Sequence, residues 1–452
     1  MMTNAIDIID AMSGLPYSSE RDALRGRRAQ ARINAQDSYT ALFAATHPSE
    51  ASFSQRDRFA VAAFVAGLHQ QPATIAFYDC ALALQTDGAA LASAVRWEVK
   101  SALQQGQPGP YGHYPTGPLN VEDAPGPYFR VDIPALHVIG ERLAAALEHA
   151  HLLVFHPRDA SSASLQSLLD AGWSTSDTVT LSQMIAFLAF QIRVVAGMRV
   201  LFPPKAEAPL DAVASSIVHI DANHAGDDKD AQETAAYAGV SVVMSGAEVA
   251  LTYPDSAHPP AYTKDIVPWL PWLEPMTVES FTDRHWTALV DPARAKSPYF
   301  RLLARAPEIL GTRTRTDKDI FFNPDGGLSR GERELAATAT SRFNGCVYCA
   351  SVHARFSSTY TKRGDDVQRL LDSGVTVDID ARWNAIIAAS IALTTTPIAF
   401  NDQHVRALRE ADLDDLSIMD VINGAAFFNW ANRLMLSLGQ PSVTVAASVP
   451  VA

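Results

Sequence analysis

Between Leu328 and Phe356 the chain reads as a helix start, an Ala/Thr-rich run, an Asn-Gly break and a second run holding two of the three cysteines. This pattern constrains the stretch to two helices meeting at a tight turn. Ser329 followed three residues later by Glu332 is a capping-box pattern, so the first helix is expected from Arg330 to about Phe343. Asn344-Gly345 breaks it, and one of those two residues is expected to cap the second helix, with Cys346 and Cys349 in its first turns. Positions i, i+3 and i+7 share a helix face, so Cys346, Cys349 and His353 form one stripe.

That geometry suits thiol chemistry. The dipoles at a helix N-terminus stabilise a thiolate and can pull a cysteine pKa from roughly 8.5 towards 3.5–7.5. The thiolate is the nucleophile, and a second thiol three positions away can close a disulfide behind it. A base must accept the proton: His353 reaches Cys349 by spacing, and Glu334 reaches the pair only if the two helices pack together. Each residue also has a plainer reading. Glu332-Arg333-Glu334 reads as a solvated helix face, spacing alone does not prefer Glu334 to Glu332, and His353 suits an ordinary helix surface. A zinc site would want four ligands, and the segment offers only His353 beyond the cysteine pair.

The full pattern is Glu334-x11-Cys346-x2-Cys349-x3-His353, opened by Leu-Ser-x-x-Glu-Arg-Glu from Leu328 and with Asn344-Gly345 before the first thiol. It resembles the alkylhydroperoxidase D and carboxymuconolactone decarboxylase-like superfamily, in its peroxidase-related branch. The resemblance implies an all-α fold, homo-oligomers, and reduction of hydroperoxides through the cysteine pair with an external dithiol as reductant, with no cofactor and no metal. Carried over by position, Cys349 matches the peroxide-attacking cysteine, Cys346 the resolving one, and Glu334 with His353 the proton relay. The best-known peroxidases of the family carry a histidine immediately before the second cysteine, where this chain has Tyr348. A tyrosine, with an ordinary pKa near about 10, does not readily shuttle protons at neutral pH.

Internal repetition organises the rest of the 452 residues. The run from Phe53 to Thr74 resembles the run from Leu328 at an offset of 329 − 54 = 275, which sets Phe59, Gln71, Thr74 and Tyr78 at the positions of Glu334, Cys346, Cys349 and His353. Phe187 to Arg193 resembles Phe427 to Arg433 at an offset of 427 − 187 = 240, so the first copy carries extra residues, including the Gly/Pro/Tyr-rich segment Gln104 to Tyr128. The expected organisation is two tandem copies of one helical domain: residues 1–204 without the active-site residues, a linker over 205–262 with a short ordered piece at Val240 to Val249, and residues 263–452 with the redox site.

Helices are expected over Arg25 to Phe43, Phe59 to Leu68, Asp132 to Leu153, Ser176 to Phe202, Asp365 to Asp372, Asp380 to Thr394 and Ser417 to Gly439, with a short one at Ser297. The aromatics and prolines of Ile266 to Pro275 suggest an extended arm packed on a domain or a neighbour, and the tail from Val443 is expected to dock or fray. Cys80 reads as a core residue, and His137, His149, His151 and His156 show no metal-site spacing. Phe427, Phe428, Trp430 and Met435 form a core stripe, part of which would line a pocket above the cysteines.

A net charge of −13 without a basic stripe argues against nucleic acid and anionic membranes as partners. Three cysteines are too few for a disulfide framework, and the start shows neither a basic n-region nor a long apolar core, so a cytoplasmic location is expected. Two rivals to a peroxidase remain: a thiol-disulfide oxidoreductase or redox sensor, favoured by Tyr348, and a non-redox lactone decarboxylase-like lyase, disfavoured by the cysteine pair.

Overall fold

The computed structural model describes residues 7–44, 53–103, 109–204 and 248–443. Among these the chain is all-α, apart from one two-stranded antiparallel ladder, Trp269–Pro271 against Gly439–Pro441, and two isolated bridges. Six helices of the first half are Gln55–His69, Pro72–Ala83, Gly88–Leu103, Glu141–Phe155, Ser162–Asp170 and Thr175–Leu201. Six follow in the same order in the second: Arg330–Asn344, Val347–Thr361, Gly364–Ser373, Ala381–Thr394, Asp402–Glu410 and Asp415–Ser437. The N-caps Ser54 and Ser329 are 275 positions apart, as are the left-handed C-caps Gln70 and Gly345; from Glu141 onward the helix starts are 240 apart. One succession of helices therefore occurs twice.

The two longest helices, Thr175–Leu201 and Asp415–Ser437, pack against each other at the centre. Gly197 permits their close approach, since a Cβ there would lie 2.6 Å from Ile422. Beside it Trp430 meets Phe187 and Phe190 at ring separations of 5.1 and 5.5 Å. Thr175–Leu201 is long and apolar enough to cross a membrane by length and composition, yet 89% of its most apolar window is buried inside the protein, which makes it a core helix.

The halves also exchange buried arginines. Arg193 donates to the carbonyl of Thr394 at 2.9 Å, and Arg433 donates to the carbonyl of Val154 at 3.2 Å. Donors and acceptors are both related by the offset of 240, so each half supplies a guanidinium to the end of the other's helix. Such groups need partners on every face, because an unpaired buried charge costs several kcal/mol. Burial holds Arg433 down at about 9 and Arg193 well below its ordinary range.

Several expected elements differ in detail. The helix expected over Arg25 to Phe43 is two, Ser19–Gly26 and Ala29–Phe43, because Arg28 turns out at the junction to pair with Asp420 and the carbonyls of Asp325 and Gly326 in the other half. The helix expected over Asp132 to Leu153 is interrupted at Gly140, whose φ of +78° suits glycine, so the continuous run is only Glu141–Phe155. Most of the Val240 to Val249 segment lies outside the described residues. Residues 248–262 run along both halves, with Ala250 N–H on Gln166 and Leu251 N–H on the carbonyl of Trp272. The aromatic arm is the first strand of the ladder, tied down by Trp269 Nε1 to the carbonyl of Met435 and Trp272 Nε1 to Gln440.

Candidate functional site

The helix Arg330–Asn344 starts at Ser329, whose hydroxyl accepts from the Glu332 amide at 3.3 Å, and ends at Gly345, where φ is +83°. The next helix, Val347–Thr361, is capped by neither Asn344 nor Gly345. Gly345 closes the first helix as its left-handed residue, and the cap of the second falls to Cys346, whose Sγ accepts from the Cys349 amide at 3.4 Å. The two helices pack side by side and turn Glu334 towards His353.

The thiols are free, buried, and 2.7 Å apart at their sulfurs, with Cys346 donating to Cys349. Burial pushes the Cys346 thiol well above its ordinary range and the Cys349 sulfur beside it adds to that, while the Cys349 amide and Asn432 pull the other way and lose. The helix-terminus effect is thus outweighed at Cys346, which keeps its proton. Tyr348 is raised too, first by burial and then by the two sulfurs.

Glu334 is completely buried, and both its oxygens are committed. Oε1 accepts from Arg330 Nε at 2.6 Å, and Oε2 accepts from His353 Nδ1 at 2.5 Å. A carboxylate can only accept, so Nδ1 carries the hydrogen and Nε2 of His353 is left as its acceptor nitrogen. The His353 ring is fixed against Phe428, 4.1 Å between centroids, with Phe321 at 5.9 Å. Cys349 lies one turn earlier on the same helix face. Glu332, which spacing alone did not separate from Glu334, instead pairs with Arg382 at 2.6 Å away from the thiols.

Four side chains escaped the sequence reading. Arg330 covers the open side of Glu334 and lies over the Phe322 ring at 3.7 Å, with Tyr360 at 5.3 Å. Its signal was present: it precedes Glu334 by four positions on one helix. Arg313 and Asp317 on Pro307–Phe322, and Tyr299 on Pro298–Leu303, carried no such signal, because they reach the site through tertiary packing. Burial raises Asp317, against the pull of Arg313 and His353.

At the matching positions of the first half the carboxylate, both thiols and the imidazole are gone. Phe59 and Tyr78 are buried in an aromatic cluster with Phe43, and the Tyr78 hydroxyl donates to Gln191. Among the described residues no group of side chains has the make-up of a metal site. Burial alone holds His149 at about 4, and burial with His156 holds His151 at about 3, so both are neutral core histidines.

No curated protein matches the chain. The model of the carboxymuconolactone decarboxylase family matches residues 307–390, from the start of the Arg313 helix, through both helices of the cysteine hairpin, into Ala381–Thr394. The matched segment is the one that carries Glu334, Cys346, Cys349 and His353, so this part of the chain is similar to the carboxymuconolactone decarboxylase family.

Proposed function

We propose that the cysteine pair reduces hydroperoxides, with Cys349 attacking, Cys346 resolving, and His353 moving the proton under the hold of Glu334. One conjunction supports this reading: two free sulfurs 2.7 Å apart beside a buried carboxylate–imidazole pair. Cys349 gives its proton to Nε2 of His353, and Glu334 stabilises the imidazolium through Nδ1. The thiolate attacks the terminal oxygen of ROOH, so an S–O bond forms as the O–O bond breaks. Sulfur becomes a sulfenic acid, and the departing alkoxide takes the proton from His353 and leaves as the alcohol. Cys346 then attacks that sulfur, its proton leaves with the hydroxide as water, and a disulfide remains for an external dithiol to reduce. A Cys346 that retains its proton fits the second role and sets an S–H donor on the Cys349 sulfur.

On the same reading residues 1–204 are a degenerate copy of the domain in 263–452, the protein works as a homo-oligomer, and the dithiol cycle runs in the reducing cytoplasm. Tyr348 supports one second reading, a thiol-disulfide oxidoreductase, because it stands where the family's peroxidases place a histidine. The rates of thiol loss with cumene hydroperoxide and with oxidised glutathione separate the two. A peroxidase reacts faster with the hydroperoxide, and His353→Gln slows that reaction by about 10²-fold or more. Faster reaction with glutathione disulfide favours exchange, and no reaction with either returns attention to lyase chemistry.

A further inference from the structure

Two buried side chains near the cysteines each carry a polar atom with no hydrogen-bond partner. Arg313 is 6% exposed, its Nε has no hydrogen-bond partner, and it belongs to no ion pair among the described residues. Its guanidinium instead lies among three rings, 5.1 Å from Phe427, 5.9 Å from Trp430 and 6.0 Å from Tyr299. Tyr299 is 7% exposed, fixed by edge-on contacts with Trp269 and Phe300, and its hydroxyl is buried without a partner. Burial raises its pKa, Arg313 opposes that, and the charges of Cys349, Tyr348 and Cys346 add to it, which sets the hydroxyl in the field of the thiols.

Aromatic faces attract a guanidinium but accept none of its hydrogen bonds, and a buried cation left this way is destabilising. We propose that Arg313 and Tyr299 together bind the carboxylate of an acidic substrate whose reactive group lies against Cys349. A guanidinium fork and an adjacent hydroxyl offer three or more N–H and O–H donors to one anion, a match for a carboxylate or a phosphate. Charge decides between them. The second cation whose field reaches this region, Arg294, donates to the carbonyl of Leu289 and lies over Phe300, and Asp317 adds an acid of its own. So little surplus positive charge suits a monoanion better than a phosphate dianion. The rings of Phe321, Phe427, Phe428 and Trp430, packed on one another beside the guanidinium, are apolar neighbours that suit an apolar or aromatic body on the ligand. If the proposed peroxidase activity holds, the substrate class is a carboxylate-bearing organic hydroperoxide.

The inference rests on the cysteine site being a substrate site, and its test does not require peroxide reduction. Fully reduced protein is alkylated with N-ethylmaleimide in the presence of phenylacetate or of phenylacetamide, which has nearly the same shape without the charge, and modification of the pair is followed by intact mass. Phenylacetate at saturation is expected to slow alkylation by about tenfold or more, and phenylacetamide to have little effect. Arg313→Met is expected to abolish the difference and Arg313→Lys to keep part of it, since lysine keeps the charge but loses the fork. Equal protection by the two probes, or none by either, overturns the proposal on wild-type protein alone. In parallel, cumene hydroperoxide is compared with its para-carboxylate analogue. Reduction of both at one rate contradicts the carboxylate site and leaves the peroxidase reading standing, whereas protection by phenylacetate without reduction of either does the reverse.

Discussion

At the scale of single residues the proposed relay stands or falls with Glu334. Its two oxygens accept from two different side chains, Arg330 on one side and His353 on the other, in a fully buried position. Glu334→Gln keeps the shape and removes the charge, so Arg330 loses its ion pair and His353 loses the carboxylate that steadies its imidazolium. The expected result is a loss of about 3 kcal/mol in urea unfolding, for a broken buried pair. Peroxide-driven thiol loss should also slow by about 10²-fold. Arg330→Met should also destabilise, because it leaves the fully buried Glu334 carboxylate with His353 alone, and should slow thiol loss as well. The cysteines, Glu334 and His353 were legible as a spaced pattern. That Glu334 and not Glu332 faces His353 was not, since the choice is made by the helix packed opposite. Arg313 and Tyr299 were illegible for the same reason: what marks them is the absence of a partner, which only packing reveals.

At the scale of elements the hairpin depends on Gly345. Its φ of +83° is unfavourable for any residue with a Cβ, and an added Cβ would meet the Arg158 side chain at 2.1 Å. Gly345→Ala is therefore expected to destabilise by about 1–2 kcal/mol, with Arg158 able to swing aside, and to loosen the Cys346 cap. The check is the denaturation midpoint together with the rate of alkylation of the pair. The helices expected from Ser176, Asp380 and Ser417 were legible because apolar periodicity agrees with the caps Ser174, Asp380 and Asp414, whereas Pro72–Ala83, Gly88–Leu103, Ser162–Asp170, Pro307–Phe322 and Asp402–Glu410 were not expected. Two expected helices are divided for different reasons. A tertiary contact draws Arg28 out of its helix to Asp420, while the positive φ of Gly140, a local feature, divides the run expected from Asp132 to Leu153.

At the scale of the whole molecule the halves are joined by buried polar groups as well as by apolar packing. Arg28 and Arg333 both reach Asp420, which is fully buried, so the start of the glutamate helix is tied to the first half. The repeat was legible as two offsets, but the reciprocal arginines were not, since neither sequence neighbourhood names its acceptor. Stability should also fall with acid. His149 is held at about 4 by burial, below its ordinary value, so the unfolded chain binds its proton first. Its stabilising effect is complete above about pH 6.5 and is lost as pH falls towards 4. His149→Gln should shrink the stability difference between pH 7 and pH 4.5 by about 2 kcal/mol in urea unfolding. The account as a whole assigns one reactive dithiol to a chain of three cysteines and two helical halves. The most direct test is a thiol count by intact mass on fully reduced protein, before and after one equivalent of cumene hydroperoxide. Rapid loss of two thiols per chain with Cys80 retained, abolished by Cys349→Ser, is the predicted result; three thiols left intact would contradict it.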